Sequence, residues 1–426
     1  MAYSHLETEI ETQAFTAALA RLYGLEKSVE AKNRCKEVIN GFRETFRNDA
    51  EALFSAPGRT EIGGNHTDHQ HGRVLAAAIN LDILAAAAPN HSGLIRVKSQ
   101  GYPIIEINVR ELAPRAGEVN TSAALLRGVA NRMVAMGCSL EGCGLDAYMV
   151  SSVPKGSGLS SSAAFEVLIG TMLNEFFGEG RRTPVELAKI GQYAENEFFG
   201  KPCGLMDQLA SAVGGVIAVD FADISDPKVT QLEVDLHSAG YALCILDSGA
   251  GHEDLTGEYA AITDELGAVC RFFGKKTLRE VDEEDFLSAL PQIRAVTGDR
   301  AVNRAFHVYA ENRRVQAEEQ ALRAGDFESF LSLVRDSGRS SAMFLQNIIA
   351  TGQTASQELM VTIALCESVL AGKGAVRVHG GGFGGTVQAF VPLELLEHFK
   401  KQTEAVLGED SCHVVTIRPA GGVRLG

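Results

Sequence analysis

The stretch Val153-Pro154-Lys155-Gly156-Ser157-Gly158-Leu159-Ser160-Ser161-Ser162-Ala163-Ala164 sits where an apolar strand pattern (residues 145–153) gives way to helical spacing (residues 160–177). Gly156 and Gly158 can adopt backbone angles that turn amide N–H groups toward one point. The helix behind them would present its unpaired N–H groups and positive dipole end to an anion. The serine hydroxyls add donors and a hard oxygen ligand suited to Mg²⁺. The stretch reads as a phosphate cradle. It is not the G-x-x-x-x-G-K-[ST] loop, which the chain lacks. A Ser/Gly loop that only caps a helix has the same letters, so other segments must decide.

Two further glycine clusters flank it. His379-Gly380-Gly381-Gly382-Phe383-Gly384-Gly385 matches G-x-G-x-x-G, but a strand pattern follows it where a dinucleotide site needs a helix. It also resembles the oxyanion motif of lipases, yet the chain holds no G-x-S-x-G. What remains is a tight backbone turn that lets another segment or a ligand come close. The stretch from Ala56 to Gly72 includes Gly58-Arg59-Thr60-Glu61-Ile62-Gly63-Gly64-Asn65-His66-Thr67-Asp68-His69. Such density of polar groups between apolar strands suggests ligand contact. His66, Asp68, His69 and His71 are all potential Zn²⁺ ligands, though their spacing matches no zinc signature. A neutral sugar fits better, because Asn65, His66 and Asp68 can exchange hydrogen bonds with hydroxyls.

The surroundings are those of a large globule. Of 426 residues, 45% are apolar and 22% charged, which excludes disordered and fibrous classes. Lys and Arg total 39 against 54 Asp and Glu, a net charge of −15. That field argues against nucleic acid or an anionic membrane as partner, and leaves a small anionic ligand open. The most apolar run, residues 74–88, contains Asn80 and Asp82 and is too short to span a bilayer. Eight scattered cysteines without C-x-x-C, and an N-terminus without a signal-peptide pattern, predict a cytoplasmic protein with reduced thiols. Helical spacing over residues 5–48, broken near Gly24, precedes strands at 53–62, 74–79, 83–88, 94–98 and 103–109. Helices are expected at 121–136, 160–177 and 184–199, and strands at 145–153 and 213–221. The polar stretch 222–235 reads as a domain boundary. A strand at 241–246, a long helical tract over 253–370, strands at 375–379 and 386–391, a short helix and a strand at 413–418 complete the chain. The order of elements predicts mixed α+β lobes.

Taken in order, the clusters resemble the three motifs of the GHMP small-molecule kinases, in the detail of their galactokinase branch. Gly58 to His69 is similar to G-R-V-N-L-I-G-E-H-T-D-Y, Pro154 to Ala163 meets P-x-x-x-G-L-x-S-S-A, and Gly380 to Gly385 meets G-G-G-F-G-G. A fourth stretch, from Ala194 through Pro202-Cys203-Gly204-Leu205-Met206-Asp207-Gln208, resembles A-E-H-x-F-x-G-x-P-C-G-I-M-D-Q. The resemblance runs from about residue 30 to the C-terminus.

It implies a two-lobed α+β GHMP kinase fold. A helical arm (1–30) would precede a ribosomal-protein-like N-terminal lobe (31–228) and a ferredoxin-like C-terminal lobe (229–426), with the active site between the lobes. It implies transfer of the ATP γ-phosphoryl group to a sugar anomeric hydroxyl, most readily galactose. Asp207 matches the family's catalytic aspartate and Arg59 its catalytic arginine. Lys155, Gly156, Ser157, Gly158, Leu159, Ser160, Ser161, Ser162, Ala163, Gly381 and Gly382 would hold ATP. Ser161 or Ser162, with Glu195, would position Mg²⁺. Asn65, His66, Asp68, Gly204 and Tyr259 would meet the sugar. The sequence departs from the family where Asn65 replaces Glu, Glu61 replaces Asn, His69 replaces Tyr and Gly251 replaces an Arg. An amide in place of a carboxylate can donate as well as accept, so the preference at sugar C6 is expected to differ. Related readings are an N-acetylgalactosamine or arabinose kinase, or a sugar sensor that transfers nothing. The uninterrupted Ser160–Ala164 run and Asp207 favour an enzyme. The oligomeric state is not legible.

Overall fold

The chain opens with three helices, α1 (His5–Glu9), α2 (Gln13–Tyr23) and α3 (Ser28–Phe46). The next segment holds β1 (Ala52–Gly63), β2 (Arg73–Asn90), β3 (Leu94–Ser99), β4 (Ile104–Asn108), α4 (Ser122–Ala135) and β5 (Gly144–Ser151). Then come α5 (Ser161–Phe177), α6 (Pro184–Ala194), α7 (Met206–Val213), β6 (Val216–Asp220) and β7 (Lys228–Leu232). The second half runs β8 (Tyr241–Ala250), α8 (Thr256–Phe272), α9 (Glu283–Ser288), α10 (Leu290–Thr297), α11 (Asp299–Ala324), α12 (Phe327–Ser340) and α13 (Glu358–Leu370). It ends with β9 (Ala375–Val378), β10 (Gly385–Pro392), α14 (Leu396–Leu407), β11 (Cys412–Val415) and β12 (Val423–Arg424). The computed structural model describes residues 5–154, 158–201, 203–251 and 255–426. Lys155, Gly156 and Ser157, expected at the nucleotide, lie outside the described residues, as do Pro202 and His252.

Local chemistry sets several ends. Thr183 and Glu186 form a reciprocal capping box with Pro184 in the first turn of α6. Thr12 and Thr121 cap α2 and α4 by accepting from backbone N–H groups three residues on.

The large sheet has the order β12-β1-β2-β5-β3-β4, with β6 on β2 and β7 on β6; β3 runs parallel to β5 and the other pairs are antiparallel. The second sheet, β11-β8-β10-β9, is antiparallel throughout. Its strands stand in the order fourth-first-third-second, with helices between the first and second and between the third and fourth. This is the split βαβ arrangement of ferredoxin-like domains, as expected.

β2 is one strand of 18 residues where the sequence suggests two. Asn80, which reads as part of a break, exchanges bonds with Thr416: Asn80 N–H donates to its carbonyl at 3.0 Å, and Thr416 N–H donates to Asn80 Oδ1 at 3.0 Å. The strand reads as unbroken apolar sequence because both its faces are covered. Val74, Ala76, Ile83, Ala85 and Ala87 pack against α4–α7. On the other face, Leu75, Ala77 and Ile79 meet Leu243, Val315, Phe330 and Phe390 of the second half, while Leu84, Ala86 and Ala88 meet Phe15 and Leu19 of the helical arm and Val38 and Phe42 of α3 beyond it. The arm is thus one wall of the N-terminal core.

Two connections were not expected. β7 lies inside the polar stretch 222–235 and extends the large sheet. The C-terminal segment returns to the first sheet, where β12 pairs with β1 and Leu53 N–H donates to Gly426 O at 3.0 Å.

Candidate active site

β1 carries the first motif, and its pairing with β2 slips between Pro57 and Arg59 and again between Glu61 and Gly63. Such irregularities re-aim side chains. The Arg59 guanidinium meets Asp207 in a two-point fork, Nε to Oδ1 at 2.7 Å and Nη2 to Oδ2 at 2.8 Å, while Nη1 donates to the Gly158 carbonyl. Asp207 is the second residue of α7 and also accepts from Ser160 Oγ. Burial pushes the Asp207 pKa up. The Arg59 charge and hydrogen bonds outweigh it and, with Ser160, hold the carboxyl below its ordinary value. Arg59 is almost enclosed, whereas the Asp207 side chain keeps 32% of its surface exposed. One edge of an ionised, oriented carboxylate therefore faces outward.

Ser160 adopts a left-handed conformation (φ 55°) just before α5. Ser161 and Ser162 are half-buried in the first turn of that helix, and Leu159 and Ala163 are buried behind them. A Cβ placed on Gly158 would lie 3.4 Å from Thr386 Oγ1 and 3.5 Å from His379 Nδ1, so this loop abuts the third cluster.

The third cluster is a close-packed turn. The carbonyls of Gly380 and Gly381 accept from Asn65 Nδ2 at 2.7 Å and His66 Nε2 at 2.9 Å, and that of Gly382 accepts from Tyr259 Oη at 2.9 Å. The Tyr259 ring also packs edge-on against Phe383, 5.7 Å between centroids. Gly382 (φ 80°) leaves no room for a side chain, because a Cβ would fall 2.1 Å from the Asn347 carbonyl. His66 is half-buried; burial drives its pKa down to about 4 against the pull of the Gly381 carbonyl, so its ring is neutral and donates through Nε2. Asp68 packs on Gly204, where any Cβ would collide with Asp68 Oδ2 at 2.0 Å. The exposed His69 ring stands 3.6 Å from Asp68 Oδ1.

Asn65 differs from its neighbours. It is fully buried, and protein groups take up its amide: Nδ2 bonds Glu61 Oε1 (2.9 Å) as well as Gly380, and Oδ1 accepts from Ser341 (3.2 Å) and Asn347 (2.8 Å). Its carbonyl accepts from His307 Nε2 at 2.9 Å. Glu61 is turned into the same core and pairs with Arg377 at 2.7 Å. Neither side chain offers a polar group to an open pocket.

Sequence reasoning missed Glu166. Gln208 Nε2 stands 3.0 Å from Glu166 Oε2 and 3.0 Å from Glu195 Oε2, all three side chains being buried. Burial raises the pKa of both glutamates, well above the ordinary value for Glu166, where the Glu195 charge adds to it. Glu166 is a lone acid in the apolar run Ala163–Leu173, which was the available signal. Among the described residues no group of three or more His, Cys, Asp or Glu side chains converges on a metal position.

Residues 124–215 match the GHMP kinases N-terminal domain, and residues 40–89 match the galactokinase galactose-binding signature. The galactokinase of Actinobacillus pleuropneumoniae is 33% identical over 356 residues, covering 83% of this chain and 88% of that protein. The chain belongs to the galactokinase family of the GHMP kinases. It is a galactokinase-like sugar kinase. The galactokinase of Glaesserella parasuis is 33% identical over 369 residues, 84% of this chain and 90% of its own. In fold, the chain is similar to Lactococcus lactis galactokinase in complex with galactose (TM-score 0.77, 24% identity, 91% of this chain and 99% of that one). It is also similar to Methanococcus jannaschii mevalonate kinase (TM-score 0.60, 15% identity, 87% and 99%). Against the galactokinase pattern, the Glu61 and Asn65 pair is an exchange: carboxylate and amide have traded places and hydrogen-bond to one another.

Proposed function

We propose that the chain transfers the γ-phosphoryl group of ATP to the anomeric hydroxyl of a hexose, with galactose the first candidate. The supporting observation is the Asp207 carboxylate, gripped from one side by Arg59 and Ser160 and open on the other. The sugar O1 would attack the γ-phosphorus as its proton passes to an Asp207 oxygen; the bond to the β,γ-bridging oxygen breaks and ADP leaves. A carboxylate held below its ordinary pKa is a weak base. That suits a loose transition state, in which the hydroxyl becomes acidic only as its bond to phosphorus forms. Arg59 keeps Asp207 ionised and would offset charge on the transferring group.

Gly158 to Ala163 and the third cluster would cradle the phosphates, with α5 directing its first-turn N–H groups at them. The serine hydroxyls of that turn and the carboxylate of Glu195 are hard oxygen donors too few to cage a cation alone. They fit Mg²⁺ that arrives on the nucleotide phosphates. When bound, Mg²⁺ supplies charge neutralisation on the β- and γ-oxygens. Asp68, His66 and Tyr259 remain the candidates for the sugar side, with Gly204 giving Asp68 its room. The enclosure of Asn65 supports a preference at C6 that departs from that of galactokinases with Glu at this position. A panel of hexoses, pentoses and N-acetylhexosamines with ATP, read by ADP release and by NMR of the product, tests both parts. Phosphorylation at C1 is expected. Strict preference for galactose would overturn the altered-C6 reading, and no sugar-dependent ADP release at all would overturn the kinase reading.

A further inference from the structure

We infer that Gln208 and Glu166 are positioning residues that hold Glu195 in place for the nucleotide-bound cation; this rests on the assignment of Glu195 proposed above. Gln208 follows Asp207 on α7, Glu166 sits one turn beyond Ser162 on α5, and Glu195 stands at the end of α6. The three elements that carry the base, the serine hydroxyl and the cation ligand thus meet at one amide.

Its Nε2 donates to two carboxylates, Glu166 Oε2 and Glu195 Oε2, both at 3.0 Å, and also stands 3.7 Å from Cys203 Sγ. A planar NH₂ group fixes the directions of its two donors, so a single amide orients both acids. Ser162 and Glu166 lie four residues apart on one face of α5, and the tie therefore also sets the distance from that hydroxyl to Glu195. Space is made for it at Gly191 on α6, where a Cβ would come within 2.9 Å of Glu166 Oε2 and 3.1 Å of Gln208 Cγ.

A second observation separates this cluster from ordinary helix packing. Glu166 Oε1 and Gln208 Oε1 are buried without a hydrogen-bond partner among the described residues. Unmatched buried oxygens and two neighbouring acids destabilise a fold. Three apolar side chains would join these helices more firmly. The arrangement gains its purpose when a cation stands beside Glu195. Groups behind a metal ligand commonly change metal affinity by roughly 10- to 100-fold when removed.

The test measures binding of ADP with and without Mg²⁺ by calorimetry, and Mn²⁺ binding to the ADP complex by EPR. The variants are Q208M, E166L, E166Q and E195Q, each checked by thermal unfolding. We expect Q208M and E166L to weaken Mg²⁺-dependent ADP binding and Mn²⁺ affinity by about tenfold or more. Affinity for metal-free ADP should stay within about twofold. E166Q keeps an oxygen for Gln208 and should recover cation affinity to within about threefold. If E195Q weakens cation binding while Q208M and E166L do not, the positioning role is overturned and the assignment of Glu195 stands. If E195Q leaves cation binding unchanged, the assignment itself fails and the inference falls with it. Equal loss of metal-free and metal-bound affinity in Q208M and E166L would mark the cluster as packing alone, also against the inference. Should Q208M not fold, the contrast between E166L and E166Q decides in the same terms.

Discussion

Of the aspartates that arginine grips, Asp82 and Asp207 show what separates a structural carboxylate from a chemical one. Asp82, on β2, is wholly enclosed. It accepts from Tyr23 Oη at 2.5 Å, Arg34 Nη2 at 2.7 Å, Arg418 Nη1 at 3.1 Å and Ser152 Oγ at 3.4 Å, and from Ser55 Oγ. These donors come from α2, α3, β1, the residue that follows β5 and the C-terminal tail, so one charge joins segments from both ends of the chain. Asp207 has one arginine and one serine, with an edge left open. In both, burial pushes the pKa up, and arginine together with hydroxyl donors more than reverses it. Charge, partner type and direction of shift are therefore shared. The difference is the unclaimed edge, which leaves a carboxylate free to act.

The contrast can be broken at Asp82 first. Asp82→Asn would leave Arg418 buried without a counter-charge and put an NH₂ group among donors. The expected cost is about 3–5 kcal/mol in urea unfolding, with kcat per folded molecule little changed. A near-normal stability would contradict the structural role. Next in size, Gly204→Ala would push Asp68 aside; the KM for the sugar should rise by roughly tenfold, about 1.4 kcal/mol, while the KM for ATP stays level. An equal rise in both would place Asp68 away from the sugar.

The smallest effect is expected from Tyr23→Phe, which removes one donor from Asp82 and should cost about 1 kcal/mol. Its pH dependence carries a sign. A carboxyl whose folded pKa lies below its unfolded value, about 3.9, adds stability above that value and loses it as pH falls toward the folded pKa. Wild type should therefore lose more stability than Tyr23→Phe when unfolding is followed from about pH 4 down to about pH 2. Parallel curves would show that Tyr23 does not act through Asp82.

The same contrast explains what could be read in advance. Glycine clusters, helix starts such as Thr183-Pro184, and the strands of the second sheet are local patterns and were legible. β2 was not, because Asn80 and Asp82 look like a turn until Thr416 and Arg418 arrive from more than 300 positions away. β7 hides in a polar stretch because it sits at the edge of the sheet, half-exposed. The inward direction of Asn65 depends on Ser341, Asn347 and Glu61, and that of Glu61 on Arg377. Spacing along β1 carries none of that information. Asp207 and Arg59 stood out through motif resemblance; their mutual fork is a tertiary fact.

The most direct measurement is a comparison of Asp207→Asn with wild type on the preferred sugar, taking kcat by steady-state ADP release and sugar affinity by calorimetry. Asn preserves the shape and takes away the charge and the proton acceptor. The account predicts a fall in kcat per folded molecule of about 10²–10⁴-fold with sugar affinity nearly unchanged, and a lowered unfolding temperature because the enclosed Arg59 loses its counter-charge. Turnover within a few-fold of wild type would contradict it.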